Sequence, residues 1–135
     1  MIALDTNVVV RLIARDDQEQ HERAARLLDL EICFIPDTVL LEVAWVLKTM
    51  RGSSREQIHS ALVRLLGNRN IRVANPERTA QALAWYADGL DFADALHLAG
   101  SQEAVAFFSF DRDLVRRAVS RGNCPVIEPP AGRPG

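Results

Sequence analysis

Residues 2–14, IALDTNVVVRLIA, decide how the rest of the chain is read. Ile2, Ala3 and Leu4 form a short apolar run that ends on Asp5. The apolar spacing then changes, with Val8, Leu12 and Ile13 falling on one face of a helix. A strand that turns directly into a helix at an acid opens an α/β chain, and the pattern repeats outward from there. Residues 17–30, DQEQHERAARLLDL, set Ala24, Leu27, Leu28 and Leu30 against a charged face, an amphipathic helix running into the apolar ICFI at 32–35. After Pro36, DTVLLEVAWVLKTM at 37–50 predicts a longer helix, apolar on most sides and so largely buried, stopped near Gly52. Ser54 with Gln57 three places on has the form of a capping box, opening a helix that Gly67 or Asn68 ends.

The second half continues the alternation. IRVA at 71–74 is a brief strand candidate, and Asn75 before Pro76 is a cap and first turn for PERTAQALAWYA, which Asp88 and Gly89 terminate. DFADALHLA at 91–99 follows as a helix, AVAFFSF at 104–110 as a buried strand, DRDLVRRAVSRG at 111–122 as a helix and CPVI at 124–127 as a last strand. Short apolar strands alternating with helices need a parallel sheet covered on both faces, so the expected fold class is α/β with about five strands. One domain is expected over residues 1–128, with a frayed Pro/Gly-rich tail at 129–135.

Composition bounds the partners. A chain of 135 residues with 48% hydrophobic content is enough for one core and too short for a second ordinary domain. Its apolar runs fall short of the roughly 20 residues of a membrane span, and its start lacks a signal-peptide pattern, so a cytoplasmic location away from membranes is expected. Cys33 and Cys124 lie far apart among apolar neighbours and read as buried reduced thiols rather than zinc ligands. The net charge of −2 makes no global case for nucleic-acid binding. Yet Lys48 is the one lysine among 16 basic residues, and arginine's planar fork suits phosphate. Genomic base composition explains that bias equally well.

Most acids sit on evident polar faces; four do not. Asp5 ends the first strand, Asp111 ends AVAFFSF, Glu42 interrupts VLLEVAWVL, and Asp94 lies one turn into its helix, three residues after Asp91. If the first and fourth strands flank the reversal of strand order, Asp5 and Asp111 project into one crevice beyond the strands' carboxyl ends. Each acid also has a local explanation: Asp91, Asp5 and Asp111 as helix caps, Glu42 as the partner of a buried arginine. Four unrelated caps and pairs would have no reason to share one edge of a sheet. Carboxylates without histidine or cysteine partners suit a hard cation, Mg²⁺ or Mn²⁺, and a site of that kind supports phosphodiester hydrolysis. His21 lies on a charged face and His59 on a polar turn, while His97, beside Leu96 and Leu98, reads as core or as support for a neighbouring acid.

IALDTNVVVRLI, LLEVAWVL, DFADALHLA and FFSFDRDL, in that order, resemble the PIN-domain nucleases, specifically the VapC toxins of bacterial toxin–antitoxin pairs. The resemblance implies a three-layer α/β/α domain around a five-stranded parallel sheet, and a Mg²⁺-dependent endoribonuclease in which Mn²⁺ substitutes. It places metal binding and catalysis on Asp5, Glu42, Asp94 and Asp111, one for one with the misplaced acids. Thr6, Asn7 and Ser109 then support the acids or position phosphate, Asp91 extends the acidic cluster, and Asp113 competes with Asp111 for the fourth place. It implies a homodimer, a cognate antitoxin that inserts near the acids, and an RNA substrate, with a larger toxin–antitoxin assembly as a further option. Trp85 and Tyr86 are candidates for interface or core, and Arg11, Arg15, Lys48, Arg51, Arg112 and Arg116 for an RNA track or solvated surface. Two other readings remain at this level: a phosphatase or phosphotransferase with Asp5 as covalent nucleophile, which Asn7 and the absence of a placed lysine disfavour, and a silent module whose acids grip a basic peptide.

Overall fold

The computed structural model describes residues 1–132, so the last three residues of the expected tail lie outside the described residues. The chain runs β1 (Ile2–Ala3), α1 (Thr6–Ile13), α2 (Gln18–Leu30), β2 (Cys33–Phe34), α3 (Asp37–Thr49), α4 (Arg55–Leu66), β3 (Ile71–Arg72), α5 (Pro76–Ala87), α6 (Phe92–Ala99), β4 (Phe107–Phe108), α7 (Arg112–Arg117) and β5 (Val126–Ile127). The fold class is α/β, and the elements follow the expected order. Internal contacts divide the chain into two units, Met1–Glu77 and the residues from Arg78 onward.

In the first unit β1, β2 and β3 form a parallel sheet in that order, with Ile2 opposite Cys33 and Cys33 opposite Ile71. Each crossover is a pair of helices, α1 with α2 and α3 with α4, long enough for parallel pairing. Local chemistry sets the helix ends. Ser54 accepts from the Gln57 N–H at 3.1 Å and Gln57 Oε1 accepts from the Ser54 N–H at 2.9 Å, the expected capping box. Gly52 at φ +64 lets the chain leave α3 in a left-handed turn closed by the Ser53 N–H on Leu47 O. Val9, Cys33, Ile35, Leu40, Val43 and Leu62 have no exposed surface. Both cysteines are buried and unpaired, and burial together with the Glu31 charge pushes the Cys33 thiol up.

In the second unit β4 and β5 pair in parallel, Phe107 opposite Val126. α5 and α6 meet at Gly89, whose φ of +120 no L side chain adopts without strain. The Leu90 N–H reaches back to Trp85 O at 3.1 Å across that turn. Phe92, Leu96 and Leu98 bury one side of α6, and the Phe92 ring meets Tyr86 edge to face at 5.5 Å.

Among the described residues the strands pair as a three-stranded and a two-stranded parallel sheet, and the single five-stranded sheet expected is not shown. Two other expectations change. AVAFFSF is not a buried strand: β4 spans two residues, and Phe108 and Phe110 are 57% and 78% exposed. Nor is α3 buried on most sides. Leu40, Val43, Ala44 and Leu47 form its core stripe, while Thr38, Glu42, Trp45 and Thr49 form an open one. An apolar composition hid an ordinary amphipathic helix. Among the described residues no helix is long and apolar enough to cross a membrane.

Candidate active site

Asp5 leaves the end of the first strand and immediately caps α1. Its Oδ1 accepts the Thr6 N–H at 2.8 Å, which satisfies one of the free donors of the first turn and fixes the carboxylate at the strand's carboxyl end. Thr6 is buried beneath it and Asn7 is exposed beside it. Glu42 comes from the open stripe of α3, so it needs no buried cationic partner, contrary to the expectation for an acid inside an apolar helix. Asp5 and Glu42 line one cavity of about 260 Å³, together with Thr6, Asn7, Arg11 and Arg51. Two carboxylates and two guanidiniums therefore share its wall.

Those guanidiniums are held by a residue that the sequence assigned to solvent. Asp16 takes Arg11 Nη1 on Oδ1 at 2.9 Å and Arg51 Nη1 on Oδ2, and Gln20 Oε1 takes Arg11 Nε at 2.6 Å. The hydrogen bond from Arg51, above all, holds the Asp16 carboxyl below the usual carboxylate range. One carboxylate thus ties the last turn of α1 to the turn after α3, the two elements that carry Asp5 and Glu42. Arg51 is 35 residues from Asp16, so no local spacing announces the link.

The second unit holds the other acids. Asp91 caps α6 through Oδ2 and the Ala93 N–H at 3.2 Å, leaving Asp94 in the first turn, half-buried. Burial pushes the Asp94 carboxyl up, the Asp91 and Asp111 charges push it further, and His97 opposes them. Asp111 caps α7, its Oδ1 accepting from the Asp113 and Leu114 N–H groups at 3.0 and 3.2 Å. Ser109 Oγ accepts the Asp111 N–H at 3.0 Å and so fixes the turn that aims Asp111. Asp113 instead pairs with Arg116. Of the two candidates for the fourth acid, Asp111 is the one in the field of Asp94.

That field has a measurable consequence. The folded-state pKa of Asp94 lies above its unfolded value, so the folded chain keeps this proton to higher pH, and its ionisation costs stability as pH rises through the folded value. Without divalent cations, Asp94→Asn is expected to melt at higher temperature than the wild type at neutral pH, the gap closing below the ordinary carboxylate range. Equal melting curves at pH 4 and pH 7 would show that the acids do not strain one another.

Within each unit some of the expected acids come together. Asp5 joins Glu42, and Asp91 and Asp111 join Asp94, but among the described residues no three His, Cys, Asp or Glu side chains gather closely enough to grip an ion. Asp5, Asp91 and Asp111 each direct an oxygen to their own helix. A carboxylate has two oxygens, so each keeps one for a ligand. His97 is exposed rather than core. Trp85 and Tyr86 are both 5% exposed, which makes them core and removes them as interface anchors. Arg11, Arg51, Arg112 and Arg116 are ion-paired, with Asp16, Asp16, Glu128 and Asp113 respectively.

No curated protein matches the sequence. Among solved structures, the chain is similar to the crystal structure of Mycobacterium tuberculosis VapC20, described as a sarcin-ricin loop cleaving toxin. The two are 22% identical, with 96% of this chain and 100% of that one covered, and a TM-score of 0.41. The PIN domain family profile matches residues 2–120, from β1 through α7, and so takes in Asp5, Glu42, Asp91, Asp94, Asp111 and Asp113. The chain belongs to the PIN domain family.

Proposed function

We propose that the chain is a divalent-metal-dependent endoribonuclease of the VapC type, the toxin of a toxin–antitoxin pair, acting on cytoplasmic RNA. The observation that carries this reading is the shared cavity of Asp5 and Glu42 at the strand end, within a chain whose family match is nearly complete. The donor set fits the cation. It is carboxylate only, as Mg²⁺ and Mn²⁺ prefer, and the raised Asp94 is a group that a nearby positive charge would relieve. Asp5, Glu42, Asp94 and Asp111 would hold it. When bound, a divalent ion neutralises phosphate charge and makes water a competent nucleophile near neutral pH.

The chain's own residues do the rest. Asp5 and Asp111 are immobilised by capping, so ligand oxygens are placed before substrate arrives. Ser109 and Thr6 secure the turns beneath them, and Asn7, Asp91 and Asp113 surround them without being ligands in this scheme. Arg11 and Arg51 stand at the cavity wall, where an RNA phosphate would enter. A homodimer and a cognate antitoxin whose basic segment meets the acids complete the proposal.

The test is direct. Purified protein is incubated with RNA in Mg²⁺, in Mn²⁺ and in EDTA, and the cut ends are sequenced. Cleavage with either ion, loss in EDTA and recovery on adding excess Mn²⁺ are expected. Cleavage indifferent to EDTA would refute the assignment.

A further inference from the structure

A second cavity, of about 580 Å³, opens between α1 and α2. Asn7 and Arg11, one turn apart on α1, line both this cavity and the one that holds Asp5 and Glu42, so the two share a wall. Val8, Ala24 and Leu27 supply apolar surface, and Gln20 and Arg23 supply polar groups. We propose that this cavity is a nucleobase pocket, which takes the base of a nucleotide beside the scissile phosphate and selects the sequence at which RNA is cut. The inference rests on the ribonuclease reading above.

The lining matches a base rather than a second phosphate. A cavity of this volume lies within the ~300–1,000 Å³ usual for small-molecule sites, and it has their mixture of apolar wall and few polar groups. Arg11 is already partly engaged: Asp16 holds its Nη1 and Gln20 its Nε. The Arg23 guanidinium has no ion pair among the described residues and offers a plane on which a base stacks, the role aromatic rings play elsewhere. The Asn7 amide is both donor and acceptor, the pairing that reads a base edge, and the hydrogen bond to Arg11 leaves the Gln20 NH₂ as a second donor. Leu27 is 37% exposed on the cavity wall, apolar surface that a stacked base would cover. The shared wall puts such a base next to the acids, so it belongs to a nucleotide flanking the cut.

The experiment is cleavage of a randomised single-stranded RNA with sequencing of every new end, for the wild type, Arg23→Ala and Leu27→Trp. Arg23→Ala removes the stacking plane from an exposed position, and Leu27→Trp fills the pocket. The wild type is expected to prefer one base at a position adjoining the cut, and each variant to reduce that preference about tenfold, the discrimination one good base contact supplies. Total cleavage persists as the profile flattens. Wild-type preference in both variants overturns the pocket, as does a wild type that cuts without base preference, and either result leaves the ribonuclease standing. A wild type that cuts no RNA overturns both.

Discussion

Asp5→Asn is expected to lower metal-dependent RNA cleavage on the order of 10³-fold while leaving the fold almost untouched. Loss of one anionic ligand removes several kcal/mol of charge stabilisation from the reacting phosphate, and each 1.36 kcal/mol is tenfold in rate, hence roughly that factor. The structural cost is small for a specific reason. Asp5 caps α1 by accepting the Thr6 N–H, and asparagine caps as well as aspartate, so its amide oxygen takes over that hydrogen bond. Only the attraction of the carboxylate for the helix dipole is lost, about 0.3–1 kcal/mol. Rate and melting temperature should therefore separate: cleavage collapses and the melt barely moves. A variant that cuts RNA at the wild-type rate would remove Asp5 from the chemistry, and one that melts far lower would show that its role is structural.

Phe92→Ala should give the largest loss of stability of any change near the acids. Phe92 opens α6, is 3% exposed and packs edge to face on Tyr86 at 5.5 Å with the rings 76° apart. Truncating a buried phenylalanine costs about 3–5 kcal/mol, part of it from the cavity left behind, and the aromatic pair adds to the loss. A fall of that size in urea-unfolding free energy is the expected measurement, with Phe92→Leu losing clearly less. A loss under about 1 kcal/mol would mean that the start of α6 is not held by this ring. Asp94 lies two residues on, so any loosening of Phe92 also loosens the carboxylate with the highest stake in staying placed.

Signals confined to a few adjacent residues were readable in the sequence. Ser54 with Gln57, Pro76 at a helix start, Gly67 as a cap and the Asp88–Gly89 stop all act through bonds to near neighbours, and each appears in the structure where it was expected. The acids were legible as a set because each stands at a strand end or helix start, although those same positions make them caps. What depends on distant partners was not. Nothing in VLLEVAWVL says that Glu42 and Trp45 face outward, because composition does not reveal which stripe meets the core. Nothing in AVAFFSF says that its ladder ends after two residues. The pocket of Gln20, Arg23, Ala24 and Leu27 did leave a trace, a helical stripe of mixed polarity opposite Asn7, Val8 and Arg11 on α1, but stripes of that kind are common on solvated helices.

Asp16 gives the entrance to the acids a property that neither arginine has alone. With its carboxylate between Arg11 and Arg51, the mouth of the cavity carries its positive groups already partnered, in a chain of net charge −2. A passing polyanion meets little unspent attraction there, and a phosphate that settles must share or displace a ligand the protein supplies to itself. On the proposed function, selectivity for RNA would begin as a competition at the threshold, favouring strands that bring enough further contacts to win it over those that bring charge alone.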